Sequence, residues 1–377
     1  MKNRINFSFR IAFVVILAAL SPSIRAQQWT AKQANEWYAK QPWLVGSNYM
    51  PSNAINQLEM WQAESFDPKT IDKELGYAED LGMNTMRVFL HDMVWRQDAE
   101  GFKKRIDQFL ALCAKHKIRP MLVLFDSCWD PLPKLGKQHE PVLGRHNSGW
   151  VQGPGAVILG DKTKWESLRS YVKDVVGSFR TDERVLAWDI VNEPDNDNAN
   201  SYGRNGTIKT ELPTKQQLGV ELVKAGFGWA REAKPTQPIT AAPWNGDWSS
   251  LEKMNDMNRF LFQNSDIITF HNYAPPAEFE KRIRDLKQFG RPLICTEYMA
   301  RPAQSTFAGC LPSAKTEKVG MINWGFVSGK SNTIYPWDSW QKTYTAEPPV
   351  WFHDIFRENG EPYLPAETAF IKKMTGK

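Results

Sequence analysis

The chain has 377 residues, with 47 Lys and Arg against 42 Asp and Glu, a formal charge of +5, and 42% hydrophobic residues that include 16 Trp. Four Cys without a CxxC pair and six scattered His give no metal-ligand spacing, so no metal and no cofactor are expected. The basic excess sits mostly at the start: a leader ending at Ala26 would carry off Lys2, Arg4, Arg10 and Arg25 with no acid, lowering the charge from +5 to +1. Nothing in the remainder calls for nucleic acid or an anionic membrane as partner.

The first residues, MKNRINFSFRIAFVVILAALSPSIRA, combine a basic start, an apolar run from Ile11 to Leu20 and a small residue at Ala26. That is the pattern of a cleavable export signal, too short and wrongly flanked for a membrane span. Residues 1–26 are therefore expected to be a signal peptide and 27–377 one catalytic domain, secreted or periplasmic, with no membrane attachment after cleavage. No linker, low-complexity tract or short repeat divides the chain.

Downstream, apolar strand-like runs alternate with helical periodicity. The expected strands are Trp43–Tyr49, Asn84–Leu90, Ile118–Phe125, Arg184–Asn192, Pro238–Ala242, Asp266–His271, Pro292–Thr296 and Val319–Gly325. Helices are expected over Pro68–Leu81, Gly101–His116, Lys162–Phe179, Thr214–Glu232, Leu251–Gln263, Ala277–Phe289, Ala303–Lys318 and Glu367–Lys373. Eight strands and eight helices in strict alternation predict an α/β fold, a (β/α)8 TIM barrel in a single domain, with long loops after the third, fourth and eighth strands. Cys113 falls in an amphipathic helix and Cys295 in a buried strand, so buried free thiols are expected rather than disulfides.

In such a barrel the chemistry gathers at the C-terminal ends of the strands. Those ends present Asn48 and Tyr49, Arg87 and His91, Asp126, Asn192 and Glu193, Trp244, His271 and Tyr273, Glu297, and Trp324. Asn-Glu-Pro-Asp after the fourth strand could be a simple turn. A second carboxylate, Glu297, ends the seventh strand on the far side of the barrel, and a carboxylate pair flanking a cleft is what glycosidic bond hydrolysis requires.

VNEP on the fourth strand, TEY on the seventh, MRVF on the second, FHNY on the sixth and NWGF on the eighth together resemble the signature set of clan A glycoside hydrolases, closest in style to family five, the cellulase- and mannanase-like enzymes. The likeness runs from Trp43 to Trp324. It implies that Glu193 is the general acid/base and Glu297 the nucleophile of a retaining double displacement. Arg87 would hold Glu297 ionised, or else form a structural salt bridge within the barrel. Asn192 would donate to the sugar 2-hydroxyl, Tyr273 would bond Glu297, and His271 would orient the sugar or the acid. Trp324 would offer a ring face to the sugar or pack in the core.

The loops after the third and eighth strands are rich in aromatics, with Trp129, Trp150, Trp337 and Trp340 among them. Trp95, Trp244 and Trp248 lie on other strand-to-helix loops, and Trp244 and Trp337 are expected at the substrate. Members of the clan tend to carry His or Asn after the third strand, where this chain has FDSCWD, so Asp126 or Asp130 is expected to contact the sugar instead. His91 is placed with the substrate-binding group. The expected substrate is a β-linked polysaccharide or its oligosaccharides, with mannan, glucan or xylan favoured. The alternatives are an exo-acting β-galactosidase or β-mannosidase, or a non-catalytic carbohydrate-binding barrel.

Overall fold

A computed structural model describes residues 28–199, 201–202 and 210–377. The expected signal peptide lies outside the described residues. Among the described residues, no helix is long and apolar enough to cross a membrane.

All eight expected strands form, each parallel to its neighbours: β1 (Val45–Asn48), β2 (Thr85–Phe89), β3 (Met121–Asp126), β4 (Ala187–Asn192), β5 (Ile239–Thr240), β6 (Ile268–His271), β7 (Leu293–Glu297) and β8 (Gly320–Asn323). They are ordered β5-β4-β3-β2-β1-β8-β7-β6. Strand β5 is short, and the seam between it and β6 is closed partly by side chains. Asp266 N donates to the Ile239 carbonyl at 2.8 Å, while the Asp266 carboxylate accepts from Ile239 N at 2.9 Å. The Thr240 hydroxyl reaches the Ile267 carbonyl at 2.8 Å and the Thr269 hydroxyl at 2.7 Å. Every residue of every strand is buried, as expected when helices cover a parallel barrel and side chains fill it.

The eight expected helices are also present, with shifted ends set by caps. Leu251–Gln263 contracts to Asp256–Asn264, because the Asn255 side chain accepts from Asn258 N and starts the helix there. Ala303–Lys318 contracts to Phe307–Thr316 behind a Thr306 cap. Several short helices were not expected. Ala31–Ala39 opens with a capping box between Thr30 and Gln33, a signal present in the sequence. This helix lays Trp37 and Tyr38 on Leu44, Met121, Leu186, Ile267, Ile294 and Ile322, plugging the N-terminal end of the barrel. The helices Gln57–Trp61 and Asp92–Gln97, after β1 and β2, start at Asn56 and His91, whose side chains accept from Glu59 N and Met93 N. All four cysteines are buried and free.

Gly46 shows how tightly β1 is seated. A Cβ there would lie 1.9 Å from the Thr85 carbonyl oxygen, a backbone atom that cannot swing aside. Gly46→Ala is therefore expected to force β1 off β2 and cost at least the ~1–3 kcal/mol of an overpacked core, read as a lower denaturant midpoint.

Candidate active site

The site is built from charge buried at the top of the barrel. Arg87, in the middle of β2, is wholly buried, and an isolated buried cation would be prohibitive, so its donors are spread over four acceptors on three other strands. They reach Asp189 Oδ2 on β4 at 2.8–2.9 Å, Asn48 Oδ1 on β1 at 2.9 Å, Glu297 Oε1 on β7 at 2.9 Å and Asn192 Oδ1 on β4 at 2.8 Å. The one guanidinium therefore both ties these strands and pairs with the Glu297 carboxyl. Asn48 in turn donates to the carbonyls of Thr296 (2.7 Å) and Asn323 (3.1 Å), fixing β1 against β7 and β8.

Glu297 Oε2 accepts from the Tyr273 hydroxyl at 2.8 Å. Glu193, directly after β4, has φ of +46°, a left-handed conformation uncommon for a residue with a side chain. This turn directs its carboxyl inward. Oε1 lies 2.7 Å from His271 Nδ1, and Oε2 accepts from Asn196 Nδ2 at 2.8 Å, with Cys128 Sγ at 3.5 Å. One oxygen of Glu193, one of Glu297 and one ring nitrogen of His271 all lie within 4.8 Å of one another. Such spacing suits direct attack by one carboxylate and leaves less room than the ~6.5–9.5 Å separation that places a water between sugar and base.

These three groups could together offer ligands to a cation. Their atoms are already engaged, however: His271 Nδ1 with Glu193, and Glu297 with Tyr273 and with the fixed positive charge of Arg87, which opposes a second cation.

Burial dominates the electrostatics. It raises Glu193 above the ordinary carboxylate range and pushes Glu297 up to about 7, where His271 and Arg87 pull down and the neighbouring Glu193 pushes up. Burial also lowers His271 to about 4, so its imidazole is neutral near pH 7. Two carboxyls this close titrate as a pair. The guanidinium and phenol donors favour the anion on Glu297, against the burial that raises both carboxyls. Tyr273→Phe deletes one of those donors. It is expected to raise the Glu297 pKa, move the acidic limb of the kcat/KM profile to higher pH, and lower activity about 10- to 100-fold, as loss of a hydrogen bond to a charged group predicts.

Around the carboxyls lies a cleft lined by Trp129, Trp150, Trp244, Trp324 and Trp337 together with Cys128, His146, Asn147, Asn192, Asn196 and Tyr273. Trp244 and Trp337 meet edge to face at 6.4 Å, and Trp337 packs on Tyr273 at 5.0 Å. Trp324 both packs and faces the cleft: its ring abuts Phe89 and Trp150, yet it remains part of the lining. Asn192 spends one amide hydrogen on Asp126 Oδ1 at 2.9 Å and keeps the other.

Two expected substrate contacts are corrected. Asp126 is buried behind Asn192, and its oxygens accept from Asn192, Cys128 N, Trp150 Nε1 and Gln57 Nε2. With its lone pairs filled by protein donors it positions Asn192 and Trp150 rather than sugar. His91 is buried as a helix cap, with Nδ1 accepting from Met93 N and Nε2 facing the Gln152 carbonyl. Asp130 likewise lies outside the cleft, where it caps Leu132 N. Trp95, Trp248 and Trp340 are structural: Trp95 packs on Tyr171, Trp248 lies under the Arg282 guanidinium, and Trp340 is buried under Arg145.

Asp189, Cys128, Asn196, His146 and Asn147 were not expected in the site. Only Asp189 left a usable signal, a charge inside the apolar run AWDIV that demands a buried partner.

Comparison with known proteins finds partial sequence matches and a shared barrel fold. Residues 132–265, which include Glu193 but not Glu297, match the model of glycosyl hydrolase family 10. A β-1,4-xylanase of Dictyoglomus thermophilum is 35% identical over 95 residues, covering 25% of this chain and 25% of that protein. Endo-1,4-β-xylanase 3 of Hypocrea jecorina is 27% identical over 135 residues, 35% of this chain and 36% of that one. The aligned part thus spans about a quarter to a third of these relatives. Among solved structures, the hyperthermostable endo-1,4-β-D-mannanase of Thermotoga petrophila RKU-1 superposes with a TM-score of 0.55 at 15% identity, covering 88% of this chain and 99% of that one. A GH5_18 protein from Streptomyces cattleya, in complex with Manb1-4GlcNAc, superposes with a TM-score of 0.57 at 11% identity, covering 88% of this chain and 80% of that one. The β-mannanase of the blue mussel Mytilus edulis does so with 0.54 at 16% identity, over 82% and 94%. The chain shares its barrel fold with these proteins and resembles clan A glycoside hydrolases.

Proposed function

We propose that the protein is a retaining glycoside hydrolase that cleaves β-linked xylan- or mannan-type saccharides. The observation that carries this is the differently surrounded carboxyl pair, Glu297 bonded to Arg87 and Tyr273 and Glu193 bonded to His271 and Asn196, at one rim of the barrel. Glu297 attacks the anomeric carbon while Glu193 protonates the departing glycosidic oxygen, forming a glycosyl ester on Glu297. Glu193, now a carboxylate, then takes a proton from water as that water's oxygen displaces Glu297 from the anomeric carbon. The remaining amide hydrogen of Asn192 donates to the sugar 2-hydroxyl, and Trp324, Trp244 and Trp337 supply apolar faces for the rings.

The choice of xylan or mannan draws on the xylanase and mannanase likenesses. The test is sugar release from xylan, mannan, β-glucan and galactan, with aryl β-glycosides alongside. Release from xylan or mannan with β-configured first product supports the reading, and an α-configured first product overturns retention. We also propose export from the cytoplasm, on the leader pattern of residues 1–26. Expression of the full chain in a bacterial host with fractionation tests it, processed protein outside the cytoplasm being the expected result.

A further inference from the structure

The long loops after β3 and β8 leave the rim on either side of β1 and β2 and are joined above it. His146 is the clasp. Its backbone N–H donates to Ser339 Oγ at 3.0 Å, its carbonyl accepts from Trp340 Nε1 at 3.0 Å, and its Nδ1 lies 2.9 Å from the Tyr335 carbonyl. Next to it, Asn147 N donates to the Ser331 carbonyl at 2.9 Å. The loop after β1 backs both arms: Lys330 N donates to the Ser52 carbonyl at 2.9 Å, and Asn56 Nδ2 to the Gly149 carbonyl at 2.8 Å. A polysaccharide lying through a groove needs an exit at each end, and these backbone-anchored contacts wall off one of them.

The chemistry says which end is walled, and here the inference rests on the hydrolase reading above. Glu193 on the β4 side must face the leaving oxygen, so the aglycone lies toward β4. The sugar under attack lies on the other side, toward Trp324 and the clasp. Two acceptors wait there. The Tyr335 carbonyl can only accept, so Nδ1 of His146 carries the hydrogen, and burial lowers this ring to about 4 and keeps it neutral, leaving Nε2 as a bare acceptor. Asn147 lines the cleft although it is only 1% exposed, and its Oδ1 is buried without a partner. An unpaired buried carbonyl is unfavourable unless a donor arrives.

We infer that the joined loops form a blind pocket for one terminal sugar, whose hydroxyls donate to His146 Nε2 and Asn147 Oδ1, so that the enzyme removes single residues from the nonreducing end of a β-linked chain. The experiment is early-time product analysis of xylohexaose and mannohexaose labelled at the reducing end. Labelled pentamer appearing first, with one free monosaccharide per cut, is the expected result. Labelled dimer and trimer appearing at the outset mean internal cutting and overturn the pocket while leaving hydrolysis standing. Inertness of both oligosaccharides and of aryl β-glycosides overturns the hydrolase reading, and the pocket with it. Asn147→Ala is expected to raise KM about 10-fold in protein shown by its denaturant midpoint to be folded. An unchanged KM removes Asn147 from the pocket.

Discussion

Glu297→Gln is expected to abolish turnover of every substrate, whereas Glu193→Ala is expected to cripple only those with poor leaving groups. The two carboxyls sit together but are surrounded differently. Glu297 holds the Arg87 guanidinium and the Tyr273 hydroxyl. An amide in its place keeps the shape but cannot attack carbon, and losses of 10⁴-fold or more follow on the order seen for other nucleophiles. In the proposed mechanism Glu193 gives its proton to the leaving oxygen, a contribution of roughly 10²–10⁴-fold that a dinitrophenolate, which leaves unaided, does not need. In Glu193→Ala, formation of the glycosyl-enzyme from 2,4-dinitrophenyl β-glycosides should therefore survive as a burst, with slow release afterwards, while polysaccharide cleavage disappears. The basic limb of the pH profile should vanish with it, because that limb is the loss of the Glu193 proton. Equal loss on both substrate types in a folded variant would contradict the acid role.

Arg87→Met is expected to be among the most destabilising single changes in the barrel. The guanidinium is the common donor for Asp189, Asn48, Glu297 and Asn192, all buried. Without it, Asp189 loses its one partnered oxygen, since Oδ1 already has none. Removing one side of a buried ion pair costs ~3–5 kcal/mol, a large share of the ~5–15 kcal/mol that holds a typical domain together. Arg87→Lys separates the two duties of the residue. It restores the charge but cannot span four acceptors with one ammonium, so it should fold with a smaller loss of midpoint. Its Glu297, less well paired, should ionise at higher pH, shifting the acidic limb upward. Denaturant midpoints and pH profiles of the two variants check this. A stable Arg87→Met variant would mean that the hub is not what secures the strands.

The strands were legible in the sequence because they are buried on both faces: IRPMLVLF and RVLAWDIVN can hide their side chains only inside a covered parallel sheet. The carboxyl pair was legible for a related reason, since Glu193 and Glu297 each follow such a run directly and a barrel brings strand ends to one rim. Position at a strand end did not fix direction, however. Asp126 and His91 satisfy the same positional rule as Glu193, yet Asp126 turns back to Asn192 and Trp150, and His91 caps the helix that begins after it. The choice was made by donors elsewhere in the chain, Gln57 among them.

What the sequence by itself determined is the alternation of elements, the burial of the strands and the identity of the two carboxyls, all encoded in local periodicity and in residues adjacent to it. What only the tertiary structure decided is the state and enclosure of those carboxyls. Arg87 meets Asp189 across 102 positions of sequence, and His146 meets Ser339 across 193. Hydrogen bonds and charge pairing depend on distance in space, which has no period along the chain, so neither the protonation of the pair nor the wall beside it could be read before the barrel closed.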